Sequence, residues 1–455
     1  MTSVLLIYPF FKPRRDRSVF RFPPLGISYI ASSLRQAGHA VNLIDCTFLN
    51  RQEALDQALV VHADVVGIYC MVTMIDDCLW FARQLRSQTF LLATGGPMPT
   101  CDPSLFVDDF DFILRGESEQ TFVDLLESVH RGKSPGKIAG ITFKEKTTDG
   151  KKEGIISTKD RPYIKDLDSL PFPARNLLPN KQYIQYCRKK YGYSITTVMS
   201  TRGCPFRCEF CSNVVFGGSY RERSPGNVVD EIEDALKLGY DRISFADDVF
   251  TLKKKRVNLV CDEILHRGLR FLWECLGRVD SIDYATARKM KEAGCTRIYF
   301  GIESADEGIL RLMNKKITPA QVRKTVEIAH SAGLEVGAFF ILFYPGDTNE
   351  SVLKTLHFAG ALPLDYLGLS MPYPLPGTKL FNRVKDRINR PWHQEESPFG
   401  SHVLIFDADF SETKMWFGII KGHAQFRLKK MMGNMAPFVL TPFEKITDRV
   451  FSAMK

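Results

Sequence analysis

The chain lacks the features of a membrane-spanning, secreted or repetitive protein. No apolar run approaches the ~20 residues that a bilayer-crossing helix needs. No secretory signal opens it. Val4–Ile7 is a short apolar run that stops at Pro9 and a basic stretch, the pattern of a first buried strand. No internal repeat or low-complexity tract breaks the 455 residues, so length points to two or three domains. A strong excess of one sign of charge is missing too. The formal net charge is +9 and the basic residues are dispersed until the C-terminal region, so nucleic-acid binding is not expected. The 11 cysteines are odd in number, which argues against a disulfide framework and for a reducing cytoplasm.

Three of those cysteines stand together in Thr-Arg-Gly-Cys204-Pro-Phe-Arg-Cys208-Glu-Phe210-Cys211. Three thiolates at this C-x3-C-x2-C spacing can ligate three irons of a [4Fe–4S] cluster. They cannot close a four-ligand site, and the next histidine, His266, is too far along the chain to make a zinc knuckle. The fourth iron stays open, and an open metal position is where substrate chemistry happens. The flanks agree: Ile195–Ser200 reads as a strand and Gly203 permits a tight turn. The other eight cysteines sit mostly in apolar contexts and read as buried structural residues.

This loop resembles that of the radical S-adenosylmethionine (SAM) superfamily. The resemblance implies that SAM chelates the open iron, that an electron from the cluster releases a 5′-deoxyadenosyl radical, and that Phe210 lies beside the adenine. It also implies an electron donor such as flavodoxin or ferredoxin, whose acidity suits a basic chain.

Periodicity gives an α/β protein. Residues 1 to about 130 alternate apolar strands (Val4–Tyr8, Val41–Ile44, Val65–Tyr69, Phe90–Ala93, Phe112–Leu114) with helices, which predicts a doubly wound, Rossmann-like parallel sheet with ligands beyond its carboxyl ends. A hairpin around Asp149-Gly150 and a Pro-rich linker follow. From Ile195 six strand–helix units predict a partial (β/α)6 barrel with its active groups at the strand ends. The expected domains are 1–135, 136–190 (hairpin and linker), 191–378 (barrel) and 379–455, a mainly helical extension.

The first domain looks like the cobalamin-binding domain of class B radical SAM enzymes, C-methyltransferase type. That likeness assigns Pro24, Leu25, Gly26, Met71, Val72, Thr73, Gly95, Gly96, Pro97, Gly116 and Glu117 to cobalamin, because glycines at strand ends let a ligand approach the backbone. Other cobalamin carriers ligate cobalt through D-x-H-x-x-G. Here Asp45-Cys-Thr47 has no such histidine, so the loop Cys70–Met74 is expected to cover the lower cobalt face. A fold that binds nothing and serves as a docking platform would show similar glycines. A methylthiotransferase-type domain would need cluster cysteines in a Gly-Cys-x-x-Asn setting, which Cys46, Cys70 and Cys101 lack.

By the same resemblance Arg278 and Glu303 contact SAM, with Asp247 nearby; the ligand's carboxylate suits an arginine and its ribose diol a carboxylate. The alternative for Arg278 is a buried bridge to Asp280 or Glu303. No catalytic residue is assigned. The stretch Lys414–Lys430 interleaves lysines with apolar residues, with no acidic interruption. It reads as a helix packed on the barrel mouth with solvated lysines, or as a peripheral membrane-surface helix. The function implied is methylation of an unactivated carbon via methylcobalamin and a 5′-deoxyadenosyl radical, on a small-molecule, peptide or protein substrate, with a side chain such as glutamine first. The alternatives are a cobalamin-dependent cyclase or rearrangement enzyme acting on a porphyrinoid, lipid or natural-product precursor, and a non-catalytic cofactor-binding regulator.

Overall fold

The structure, a computed structural model, describes residues 1–11, 21–146, 153–389, 405–432 and 436–454. The chain divides into two compact units. One comprises Met1–Val198, Arg202–Pro205 and Asn213–Arg242; the other comprises Met199–Thr201, Phe206–Ser212 and Ile243–Lys455.

In the first unit, strands β1 (Ser3–Tyr8), β2 (Ala40–Asp45), β3 (Val65–Tyr69), β4 (Leu91–Gly95) and β5 (Phe112–Leu114) alternate with helices α1 (Leu25–Gln36), α2 (Arg51–Val60), α3 (Ile75–Leu85), α4 (Pro97–Cys101) and α5 (Glu119–His130). Strands β6 (Ile141–Lys146) and β7 (Glu153–Ser157) complete a seven-stranded sheet in the order β2-β1-β3-β4-β5-β6-β7. The first five strands are parallel, with Val4 opposite both Val41 and Val65. Val4–Ile7 is apolar without alternation because both faces of β1 are buried. Gly67 interrupts β3 for a steric reason: a Cβ there would sit 2.8 Å from both Leu6 and Phe122. The hairpin β6–β7 reads from sequence as part of a linker; here it pairs antiparallel with β5 and extends the sheet. Its turn at Asp149-Gly150 lies outside the described residues.

The expected linker also holds a helix, α6 (Asn180–Tyr191). Its Tyr183 hydroxyl donates to Asp45 at 2.6 Å. Strand β8 (Ile195–Val198), the two-residue strands β9 (Thr201–Arg202) and β10 (Arg221–Glu222), and helix α7 (Pro225–Lys237) follow. Pro225 at the first helical position and Ser224 as cap start α7 where the chain leaves β10.

A second sheet has six strands: β8, β11 (Arg242–Phe245), β12 (Leu272–Gly277), β13 (Cys295–Glu303), β14 (Glu335–Ile341) and β15 (Tyr366–Ser370). Strands β12 to β15 pair in parallel and in chain order. Helices α8 (Lys254–His266), α9 (Tyr284–Glu292), α10 (Glu307–Leu312), α11 (Pro319–Ser331), α12 (Asn349–Ala361) and α13 (Lys379–Val384) accompany them. Capping boxes at Thr318/Gln321 and Thr348/Ser351 fix the starts of α11 and α12.

The extension forms α14 (Glu412–Met432) and α15 (Ala436–Ala453). Sequence alone places the lysines of α14 in solvent, and the structure corrects this. Lys414 and Lys421 are buried: Lys414 Nζ donates to the Met454 carbonyl at 2.7 Å, and Lys421 pairs with Asp448 at 2.9 Å. Lys429 donates to the carbonyls of Gly360 and Leu362 at the end of α12. Lys429 turns inward because the last turn of α12 leaves carbonyls that need donors. No helix among the described residues is long and apolar enough to cross a membrane.

Candidate active site

The cysteine loop begins at a forced turn. Gly203 has φ +84°, and a Cβ there would meet the Ser219 carbonyl oxygen at 2.3 Å, so only glycine fits. The Cys204 amide donates to the Gly217 carbonyl at 3.1 Å, and the Asn213 side chain donates to the Cys204 carbonyl at 3.2 Å. Farther along, the Glu209 amide donates to the Met313 carbonyl at the end of α10, and the Leu380 amide of α13 donates to the Glu209 carbonyl, both at 2.9 Å. Asn314 donates to the Arg207 carbonyl at 2.7 Å, and Glu209 pairs with Arg383 at 2.5 Å. Irregular backbone is thus held at both of its carbonyl-rich flanks.

Cys204 and Cys208 are half-buried and Cys211 is exposed. Burial pushes the Cys208 thiol up, against the opposing pull of Lys315. Among the described residues no three His, Cys, Asp or Glu side chains are gathered to hold a metal as they stand. The fit therefore rests on donor chemistry. Three thiols at this spacing on one loop suit an iron–sulfur cluster with one open iron.

Phe210 is half-buried against the core of Ile309, Met313, Tyr344 and Leu380. The Lys315 ammonium lies 5.9 Å from its ring and 2.9 Å from Glu303. Lys315 is the residue that sequence reasoning missed. It follows a short helix in Met-Asn-Lys-Lys316, with no motif to mark it. Glu303 has φ +68°, at the register shift between β13 and β14. Gly301 makes room for the pair, since a Cβ there would lie 2.5 Å from the Glu303 carboxylate. Arg278 makes two bonds to Asp280, at 2.9 and 3.0 Å, and its guanidinium carbon lies 3.5 Å from the centre of the Phe206 ring in the cysteine loop. It thus bridges from a buried position to an exposed Asp280 and neighbours the loop.

Asp247 has another task. It is sealed from solvent and accepts from the Ser200 and Thr201 amides, at 2.6 and 3.0 Å, and from the Ser200 hydroxyl. Burial pushes its carboxyl up. Its oxygens are occupied within the chain, so it anchors backbone where a contact to SAM is expected from sequence.

The residues expected around cobalamin collect at the carboxyl edge of the first sheet. Pro24, Leu25 and Gly26 open α1; Met71, Val72 and Thr73 follow β3; Gly95, Gly96 and Pro97 join β4 to α4; Gly116 and Glu117 join β5 to α5. Gly96 has φ +116°, and a Cβ would meet the Cys70 carbonyl oxygen at 2.7 Å. Thr100 ties two of these loops: its hydroxyl donates to the Gly96 carbonyl at 2.8 Å and accepts from the Gly116 amide at 3.0 Å. The order β2-β1-β3 reverses direction at β1, the switch point where open α/β sheets bind ligands. Small residues and backbone at this edge fit a large planar ring. Glu117 differs from the rest. It is buried and bonded to Arg202 at 3.0 Å, Arg221 at 2.7 Å and the Ile164 amide at 2.8 Å, which leaves its carboxylate no free face.

The fold and site define an α/β protein with a B12-type sheet domain and a radical SAM barrel. The family model for the radical SAM superfamily matches residues 198–359, and that for the B12 binding domain matches residues 12–126. An uncharacterized methyltransferase of Pyrococcus horikoshii is 34% identical over 371 residues, covering 79% of this chain and 78% of its own. The anaerobic magnesium-protoporphyrin IX monomethyl ester cyclase of Cereibacter sphaeroides is 26% identical over 446 residues, 94% of this chain and 71% of its own. In fold the chain is similar to the radical SAM methyltransferase TsrM of Kitasatospora setae, solved with cobalamin and a [4Fe–4S] cluster (TM-score 0.70, 17% identity, 85% of this chain and 75% of that one). The chain belongs to the cobalamin-dependent radical SAM methyltransferase family. Its cofactors are a [4Fe–4S] cluster, SAM and cobalamin.

Proposed function

We propose that this enzyme methylates a carbon that is not nucleophilic. The observation that carries the reading is the joint presence of a three-thiol loop and a glycine-edged B12 domain in one chain. The bound groups supply a hydrogen-abstracting radical and a transferable methyl. A radical alone removes hydrogen, and cobalamin alone passes methyl to nucleophiles; methylation of an inert carbon needs both. Cys204, Cys208 and Cys211 hold the cluster. Phe210 flanks the adenine of SAM. Glu303 and Lys315 offer one carboxylate and one ammonium to the polar groups of SAM, and Arg278 braces the loop through Phe206. The four loops from Pro24 to Gly116 hold cobalamin. An electron donor such as flavodoxin or ferredoxin, in the cytoplasm, reduces the cluster. A peptide or protein side chain such as glutamine is the first substrate class to test.

The test is product stoichiometry with methyl-labelled SAM. The expected outcome is one 5′-deoxyadenosine and one S-adenosylhomocysteine per product, with the label on carbon. The similarity to the cyclase over 94% of the chain favours ring formation as the second reading. Abundant 5′-deoxyadenosine with neither S-adenosylhomocysteine nor label transfer would establish it instead.

A further inference from the structure

Helices α14 and α15 carry carboxylates inward and apolar side chains outward, the reverse of an ordinary solvent-facing hairpin. The two run antiparallel: Lys414 reaches the Met454 carbonyl, Lys421 pairs with Asp448 at 2.9 Å, and the Gln425 side-chain amide donates to Glu444 at 2.6 Å. Their carboxylates are Glu412, Glu444 and Asp448. Glu412 opens α14; the other two turn inward, Glu444 to Gln425 and Asp448 to Lys421 and to His357 of α12. Outward, Phe438 is 75% exposed, Met431 80% and Ile446 64%, and Ile420 and Val450 are exposed as well. Single exposed apolar residues are ordinary. These are not single. On α15 Phe438, Pro442, Lys445 and Arg449 recur at helical spacing and are all exposed, so they share one face with Ile446. On α14 Ile420, Arg427 and Met431 do the same. An apolar face of this kind marks an interaction site.

The charge on that face says what covers it. Arg427, Lys430, Lys445 and Arg449 are exposed between the apolar side chains, and no carboxylate among the described residues pairs with them. Lys430 reaches only the Asp365 carbonyl, at 3.1 Å. We propose that the outer face of α14 and α15 docks on an anionic lipid surface. The helices lie along the interface with their inner faces still packed on the protein. Phe438, Met431 and Ile446 enter the headgroup boundary, and the four cations meet lipid phosphates. A second copy of the chain would set the same cations against themselves. Side chains that protrude singly along two helices suit a fluid surface, which closes around each.

The full chain, anaerobically reconstituted, is sedimented with vesicles of phosphatidylcholine alone and of phosphatidylcholine mixed equally with phosphatidylglycerol. The wild type should bind the mixed vesicles, less so as salt rises, and leave the neutral ones in suspension. Lys445→Gln with Arg449→Gln should weaken binding about thirtyfold, some fivefold for each cation removed. Phe438→Ser with Ile446→Ser should weaken it about tenfold or more, by removing the inserted apolar area. All four side chains are exposed, so both double variants should unfold at the wild-type temperature. A second readout needs no variant. Acylation of lysines in the wild type should slow severalfold at Lys445 when mixed vesicles are added and stay unchanged at Lys291, an exposed lysine of α9. Binding to neither vesicle overturns the proposal. Equal binding by the variants, or bound protein in which Lys445 stays reactive, overturns it by putting the contact elsewhere. Equal binding to neutral vesicles overturns the anionic assignment. A concentration-dependent dimer that Phe438→Ser with Ile446→Ser abolishes also overturns it, and gives the face to a second copy of the chain.

Discussion

Arg202 Nη1 lies 3.0 Å from Glu117 Oε1, and both side chains are almost wholly removed from solvent. Arg202 stands two residues before Cys204, and Glu117 stands in the loop after β5. The same guanidinium reaches Glu119 at 2.7 Å, in the first turn of α5, and Glu117 also holds Arg221 of β10 at 2.7 Å. Two cations and two anions therefore tie the strand that leads into the cysteine loop to the carboxyl edge of the B12 domain. In low dielectric the pairing is secure only while it is complete.

Glu117→Ala strands Arg202 and Arg221 without their shared anion. It should cost about 3–5 kcal/mol, the penalty for breaking a buried pair. Urea unfolding of the cluster-free protein measures this. A loss under ~1 kcal/mol would mean that water enters the network and relieves the charge.

Gly96 and Gly132 make a controlled pair. Both have positive φ, but a Cβ at Gly96 meets the Cys70 carbonyl oxygen at 2.7 Å, whereas at Gly132 nothing lies within 4 Å. Gly132→Ala should cost ~1 kcal/mol from backbone strain alone, and Gly96→Ala two or three times that. Gly96→Ala should also abolish stoichiometric hydroxocobalamin binding, while Gly132→Ala retains it.

The cobalt should take no imidazole from the first unit. Its three histidines lie at the wrong edge of the sheet. His39 precedes β2, His62 precedes β3, and His130 ends α5, all on the amino side of the strands. The cob(II)alamin EPR spectrum of the loaded protein should therefore be the same whether or not the protein carries 15N-histidine. A nitrogen triplet that becomes a doublet on labelling would contradict this.

Long apolar runs made the two sheets legible. Val65–Tyr69 and Phe112–Leu114 have their expected bounds, because buried parallel strands leave an unbroken apolar signature. The strand Cys295–Glu303 runs longer than its apolar core because Cys295, Thr296 and Glu303 carry no such signal. Helix α6 was hidden in Asn-Lys-Gln-Tyr-Ile-Gln-Tyr-Cys-Arg-Lys-Lys-Tyr, which buries only Tyr183 and Cys187 and so has almost no apolar periodicity. In the candidate site, spacing and strand ends single out the cysteines, Phe210 and the glycines as candidates. The partners of Lys315 and Asp247 lie 12 to 47 residues away along the chain, which no local pattern encodes.

Asp347 should give the fold a distinctive pH dependence. Burial raises its carboxyl from 3.8 to about 6. A raised acid is harder to ionise in the folded state, so folding binds a proton between those two values. Stability should be greatest below pH ~4 as far as this group is concerned, and should fall as pH rises through about 6. The full difference is on the order of 3 kcal/mol. Asp347→Asn keeps an acceptor for the Tyr344 amide and removes the titration. The difference in unfolding free energy between wild type and variant should change between pH 4 and 6 and be flat above 7; a flat difference throughout would show that Asp347 is hydrated.

Glu303 and Lys315 allow the two roles of a buried pair to be separated. Both side chains are 9% exposed, and their 2.9 Å contact lies beside Phe210. Lys315→Met leaves a carboxylate buried without its cation and should cost about 3–5 kcal/mol. Glu303→Gln in the same chain removes that stranded charge, so the double variant should recover most of the stability. If the pair served the fold alone, SAM cleavage would recover with it. We expect the opposite: the double variant should fold and bind about four irons, yet cleave SAM at least tenfold more slowly than wild type, with the loss expressed in SAM affinity. One measurement set, comprising unfolding, iron content and 5′-deoxyadenosine formation on the three variants, thereby assigns the pair either to the ligand or to the scaffold. Full recovery of cleavage in the double variant would assign it to the scaffold.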